Sequence, residues 1–148
     1  MKAAIDTNVL AYAEGLNGVA RRTAALRLIE RAAGSDLVIP AQVLGELFNV
    51  LTRKARQTPR AARSAIMHWH DAFPIVETST ATIIAAIDLA ADHRLGIWDA
   101  VVLSAAAETS CRVLLSEDLQ DGFTHRGVTV VNPFASRPHK LLRELTDE

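Results

Sequence analysis

Lys2-Ala3-Ala4-Ile5, stopped by Asp6-Thr7-Asn8, decides the fold. It is a brief apolar run closed by residues that favour turns and helix caps, which reads as a buried strand. The same pattern returns at Leu37-Val38-Ile39 before Pro40 and at Val113-Leu114-Leu115 before Ser116. Val128–Val131 is a further strand and Ile75-Val76 a weak one. Between these runs the periodicity is helical. A short helix is expected through Ala13, followed by a turn from Gly15 to Gly18. From Val19 to Ala33, Leu26, Ile29 and Ala33 fall on one face, and Arg21, Arg22, Arg27 and Arg31 read as a solvated one. Pro40 suits the first position of a helix running to about Ala55. Pro59 opens another that ends before Pro74. Thr80 or Thr82 caps a helix reaching about Asp92, with Gly96 just beyond as its stop signal. Trp98 to Thr109 is helical and apolar on nearly every side, so deep burial is expected. The tail after Pro133 reads as irregular, with a short helix around Leu141–Leu145. Strands separated by helices imply right-handed crossovers and a parallel sheet covered on both faces. The expected class is α/β, a three-layer α/β/α sandwich around a central, mainly parallel sheet.

The 148 residues contain no linker long enough to divide them, so one domain over residues 1–148 is expected. With 49% hydrophobic and 22% charged residues, the composition is that of a folded globule. Sixteen Lys and Arg against seventeen Asp and Glu leave a net charge of −1, which excludes a general polyanion-coating role and confines any nucleic-acid contact to a local patch. Cys111 is alone, excluding an internal disulfide and Cys-rich zinc or iron–sulfur sites. Asp6 interrupts the first apolar run too early for a signal peptide, and no run approaches the roughly 18 residues of a membrane span. A cytoplasmic location is expected.

Four carboxylates occupy positions where a carboxylate needs a reason. Asp6 and Asp118 follow strands, at the edge where parallel sheets collect ligands. Each alone is also explained as a cap or turn residue. Glu46 shares the i, i+3, i+4, i+7 stripe of Val43, Leu47 and Val50, which should face the core. A charge there needs a cation, a partner or a wet cleft, unless it pairs with an arginine or lies at the stripe's edge. Asp99 opens the most apolar helix; N-capping explains it, and the helix dipole would hold it ionised as a metal ligand must be. If the four acids converge, they repel one another unless cations intervene, and oxygen-only donors favour Mg²⁺ or Mn²⁺, ions suited to activating water at a phosphodiester.

Ala4-Ile5-Asp6-Thr7-Asn8-Val9-Leu10, Pro40-Ala41-Gln42-Val43-Leu44-Gly45-Glu46-Leu47, Ile97-Trp98-Asp99-Ala100 and Leu115-Ser116-Glu117-Asp118-Leu119-Gln120-Asp121-Gly122, in that order, resemble the four acid motifs of the PIN-domain family. Within it, the chain is most similar to the VapC-type toxin ribonucleases of toxin–antitoxin pairs. The resemblance extends to Val130-Val131-Asn132-Pro133-Phe134. It implies an endoribonuclease dependent on Mg²⁺ or Mn²⁺. Asp6 and Asp99 would be direct metal ligands, Glu46 would act through water, and Asp118 would complete the pocket. Thr7 and Ser116 would support these carboxylates; the family often has Thr in place of Ser116, and the hydroxyl survives. Asp121 is a fifth acid or, the better reading, a turn residue before Gly122. The resemblance also implies a homodimer, silenced by an antitoxin that inserts a peptide, often with an Arg, near the acids.

Arg53, Lys54, Arg56, Arg60 and Arg63 form the one concentrated basic stretch, either a rim for RNA phosphates or a solvated helix end. Trp69 and Tyr12 could stack on bases, though core packing is the better reading of each. His68 and His70 point different ways on a helix, and no role follows for either. Two other functions compete: a non-catalytic RNA- or protein-binding module, and a metal-dependent phosphatase. The second is weakened by Asn8, an amide where a phosphatase motif wants its second acid.

Overall fold

The computed structural model describes residues 1–147. In chain order its elements are β1 (Lys2–Ile5), α1 (Thr7–Ala13), α2 (Val19–Arg31), β2 (Asp36–Pro40), α3 (Ala41–Arg53), α4 (Pro59–Ala72), β3 (Ile75–Val76), α5 (Thr80–His93), α6 (Ile97–Glu108), β4 (Val113–Leu115), β5 (Thr124–His125), β6 (Val128–Val131) and α7 (Lys140–Leu145). The strands form one sheet in the order β3-β2-β1-β4-β6-β5. Every pairing is parallel except β5 with β6. The expected α/β architecture, helices around a mainly parallel sheet, is the one observed.

The path of the chain explains where ligands would gather. From β1 it steps outward to β2 and β3, then returns across the sheet to β4 on the other side of β1. Right-handed crossovers put the helices of the outward and return journeys on opposite faces. The order therefore reverses between β1 and β4, and at such a switch point a crevice opens beyond the carboxyl ends of the strands. Asp6 and Ser116 are the residues that follow these two strands. The Asp6 amide still donates to the Leu115 carbonyl at 3.0 Å, so the ladder holds up to the crevice edge.

Beneath it lies a core of Ile5, Val9, Leu10, Ile39, Val43, Leu47, Leu103, Leu114 and their neighbours, all fully buried. The seven residues of α1 are buried throughout, polar Thr7 and Asn8 included.

Several local expectations need correction. On α2 the buried positions are Ala25 and Leu28, with Ala32 buried at its C-cap, while Leu26 is 39% exposed and Ala33 is exposed as well; the helix turns a different face inward from the expected one. Arg21 is not on a solvated face but reaches Glu117 and two aromatic rings. Pro40 is the N-cap of α3 rather than its first residue. Ser79, not Thr80 or Thr82, caps α5, with Thr82 closing a capping box. That helix stops at Arg94 in the left-handed region (φ 54°), and Gly96 instead caps the start of α6. Helix α6 is buried from Ala100 to Ala106, yet Trp98 in its first turn is 55% exposed. Strand β5 was not anticipated. It pairs with β6 through a tight turn at Arg126-Gly127, both with positive φ, as two-residue hairpins require.

Candidate functional site

The crevice is built on a hydrogen-bonded base. Asp6 caps α1: its Oδ1 accepts from the Thr7 amide at 2.7 Å. Its Oδ2 accepts from Ser116 Oγ at 2.7 Å and from Asn8 Nδ2 at 3.4 Å. Thr7 spends its hydroxyl on the neighbouring acid, donating from Oγ1 to Glu46 Oε2 at 2.6 Å. The other oxygen of Glu46 accepts from Gln42 Nε2, one turn back on α3, at 3.2 Å. Consecutive residues of one short helix thus hold two carboxylates that lie forty positions apart in the chain.

Asn8 gathers the rest. Its amide nitrogen donates to Asp118 Oδ2 at 3.2 Å and meets Ser116 Oγ at 3.4 Å. Its oxygen accepts from the Glu117 backbone N–H at 3.1 Å, and Ser116 Oγ also accepts from the Asp118 N–H at 3.2 Å. The loop after β4 is therefore pinned to α1 from both sides. Nothing in the sequence pattern marked Asn8 beyond its amide, because its partners are more than a hundred residues away.

Asp99 enters from α6. It is the third residue of the helix rather than its cap, and its side chain makes no capping bond. Capping therefore does not explain it. Nor does the dipole hold its pKa down: burial, Glu46 and Asp118 push it above the ordinary carboxylate value. Asp6, only 2% exposed, is raised to about 6, chiefly by burial, with Glu46 and Asp99 adding to the rise against the lowering by Ser116 and the Thr7 amide. Each of the four expected acids is thus within electrostatic reach of at least one other. Glu46 sits at the margin of its stripe, half-buried beside fully buried Val43 and Leu47, so it faces the crevice rather than the core.

The other expected residues divide. Asp121 does not join the cluster through any hydrogen bond; its Oδ1 accepts from the Asn132 N–H at 2.9 Å and ties the loop to the end of β6, as a turn residue does. Of the basic stretch, Lys54 lines the groove that Thr7, Glu46 and Asp118 open. Arg60 and Arg63 line a separate hollow with Phe48 and Pro59. Arg53 donates from Nε to Asn49 Oδ1 at 2.8 Å, and Arg56 is an exposed residue in the left-handed region (φ 54°). Tyr12 is buried and donates to Glu117 Oε1 at 2.9 Å. Half-buried Trp69 stacks on Phe73 and donates to Glu14 Oε1 at 2.9 Å. Both behave as packing residues.

Glu117, not singled out by sequence, anchors the loop a second time. It pairs with Arg21, whose guanidinium carbon lies 5.1 Å from the Tyr12 ring centre and 5.3 Å from that of Phe134.

The groups around Asp6 that could face an ion are carboxylate and hydroxyl oxygens; Asn8 turns its amide nitrogen towards the acids and its oxygen to the Glu117 N–H. Among the described residues no three acidic, imidazole or thiol groups stand close enough to enclose an ion by themselves. An all-oxygen set of donors is the kind that a hard divalent ion such as Mg²⁺ takes, through one or two carboxylates and its own water. Among the described residues no helix is long and apolar enough to cross a membrane.

Comparison with known proteins agrees with this fold. The profile of the PIN domain matches residues 3–125. No curated protein matches the chain. Among solved structures, VapC20 of Mycobacterium tuberculosis, a sarcin–ricin loop cleaving toxin, aligns with a TM-score of 0.66 and 19% identity over 78% of this chain and 89% of its own. VapBC2 from Rickettsia felis, bound to a DNA fragment from its promoter, gives 0.62 and 18% over 80% and 89%. PAE2754 from Pyrobaculum aerophilum gives 0.65 and 18% over 100% and 91%. At such identities the likeness is one of fold.

Proposed function

The chain belongs to the PIN domain family, and from that premise we propose that it is a metal-dependent endoribonuclease serving as the toxin of a toxin–antitoxin pair. The observation that carries the proposal is the hydrogen-bonded base at the switch point of the sheet, where Thr7, Asn8 and Ser116 hold Asp6, Glu46 and Asp118 together, with Asp99 in electrostatic reach of them. A fold that gathers four acids without a matching set of cations works against its own stability unless a cation completes the site.

Asp6 and Asp99 would hold Mg²⁺ or Mn²⁺, with Glu46 and Asp118 completing the acidic wall. The bound ion would supply the charge that acidifies the attacking water and offsets the phosphate. The remaining work falls to side chains already held in place. Ser116 Oγ and the Thr7 N–H fix the two oxygens of Asp6 separately, so the carboxylate cannot swing. Thr7 and Gln42 do the same for Glu46, whose oxygens would orient the water and take its proton. Asn8 keeps Asp118 at the edge of the pocket.

Residues 1–148 would act as one PIN-like domain in the cytoplasm. A homodimer is supported by the apolar side chains that α5 and α6 leave in solvent: Ile84 at 55%, Ile87 at 49% and Trp98 at 55% exposure. An antitoxin is the second expected partner, an arginine from it being able to occupy the acid cluster in place of the ion. Lys54, with Arg53 beside it, would meet the RNA backbone.

The test is cleavage of tRNA, rRNA fragments and single-stranded oligonucleotides by the purified protein with Mg²⁺, with Mn²⁺ and with EDTA, beside Asp99→Asn. Cutting that needs the metal and disappears in the variant supports the nuclease. Binding of RNA without cutting supports the non-catalytic module instead, and hydrolysis of simple phosphate esters alone supports the phosphatase.

A further inference from the structure

The acid cluster opens on one side into a pocket of about 300 Å³ between α1 and α3, shared through Thr7, Glu46 and Asp118. Ala11, Leu16 and Val50 give it apolar walls, while Asn17, Asn49 and Lys54 supply its polar groups. The nuclease chemistry uses none of the first five. We infer that this pocket seats one nucleobase of the RNA next to the bond being cut, and that Asn49 reads its edge; the inference rests on the nuclease reading above.

Size, chemistry and position each restrict the occupant. The volume is at the lower end for small-ligand pockets, enough for one ring system and too little for a helix. A base has two apolar faces and an edge of donors and acceptors, and single-stranded RNA is recognised by splaying such rings into pockets where their edges are hydrogen-bonded. Apolar walls with two carboxamides match that surface. The Asn49 oxygen already accepts from Arg53 Nε, which fixes the amide and leaves Nδ2 as a donor for a base carbonyl or ring nitrogen. Lys54 in the same pocket places a cation where the phosphate joining this nucleotide to the next would run. Because the pocket adjoins the acids directly, the base it holds lies beside the scissile phosphate rather than at a remote site.

The experiment compares wild type, Asn49→Ala and Val50→Trp on short single-stranded RNAs randomised around the cut, with the product ends sequenced. Wild type should favour particular bases at one position flanking the cut. Asn49→Ala, a change at an exposed position, should reduce that discrimination about tenfold. Val50→Trp should fill the pocket and lower kcat/KM for the favoured RNA by a similar factor, with a melting curve to show that it folds. Binding of the same RNAs by Asp99→Asn, with and without Asn49→Ala, adds a readout independent of cutting: only the favoured sequence should bind less tightly. Product ends and binding unchanged by either pocket variant, while wild type still cuts, would overturn the inference and leave the pocket to another occupant such as a polypeptide. A wild type that cuts no RNA would overturn the nuclease reading itself.

Discussion

Asp6 carries its carboxylate where only 2% of its surface meets solvent and two other acids repel it. The consequence for stability has a definite sign. The unfolded chain ionises this group near the ordinary value of 3.8 and the folded chain near 6. Between those values the unfolded state binds fewer protons, so stability falls as pH rises from about 4 to about 6 and stays lower above it. The cost of the ionised form is on the order of 3 kcal/mol. In EDTA, Asp6→Asn should therefore melt several degrees above wild type at pH 7.5 and close to it near pH 4. Thermal melts at the two pH values decide this, and an equal shift at both would mean that the charge is not the cause. The same substitution, like Asp99→Asn, should abolish RNA cutting. Glu46 was legible because an acid among Val43, Leu47 and Val50 needs a reason, although it proves to sit at the stripe's margin. Asp6 alone reads equally as the cap that it also is, and only its place at a strand end beside the other acids marks it. Asn8 was not legible, since a buried amide with partners over a hundred residues away leaves no local contradiction. Asp99 stood out as an acid opening the most apolar helix; the structure removes its bland alternative, capping, and also the expectation of a pKa held down by the dipole.

At the scale of elements, local chemistry sets most boundaries, and the misreadings arise where two elements share one signal. Gly96 follows α5 and precedes α6 by a single residue, so its role as stop or start depends on Arg94, which takes the left-handed turn at φ 54° without being glycine. Strand β5 was hidden for a related reason. Its turn is Arg126-Gly127 rather than the Asn-Gly or Asp-Gly that announces a hairpin, and its two residues bury little. The start of α5 yields a quantitative expectation. Ser79→Ala removes one half of a capping box and should cost about 1 kcal/mol. Thr82→Val should cost more, because Thr82 Oγ1 also donates to Glu108 Oε2 at 2.6 Å and so ties α5 to the far end of α6. Urea denaturation of the two variants tests the order; equal losses would make the Glu108 bond energetically silent.

Across the whole molecule, Arg21 connects parts that the sheet alone leaves independent. It joins α2 to α1 through Tyr12, to the loop after β4 through Glu117 and to the segment after β6 through Phe134. That loop carries Ser116 and Asp118, so Arg21→Ala should lower kcat on RNA by roughly tenfold while leaving KM nearly unchanged, as misplacement of a supporting group does. Arg21→Lys should restore little, since an ammonium lacks the planar face that lies over the two rings. A variant with normal kcat would show that Asn8, Ser116 and the Tyr12 bond to Glu117 hold the loop without Arg21. The parallel architecture and the reversal point were readable from strand–helix alternation, whereas this long-range clasp depends on side chains from four segments and was not. The sheet itself has one further consequence. Its outermost strands, β3 and β5, are two residues long each, so either flank offers only a stub of unpaired backbone. Such flanks give a second chain too little to extend, which protects against runaway β-polymerisation. Stable company for this molecule must therefore be recruited by its helices, and crowding it at high concentration should yield discrete assemblies rather than fibres.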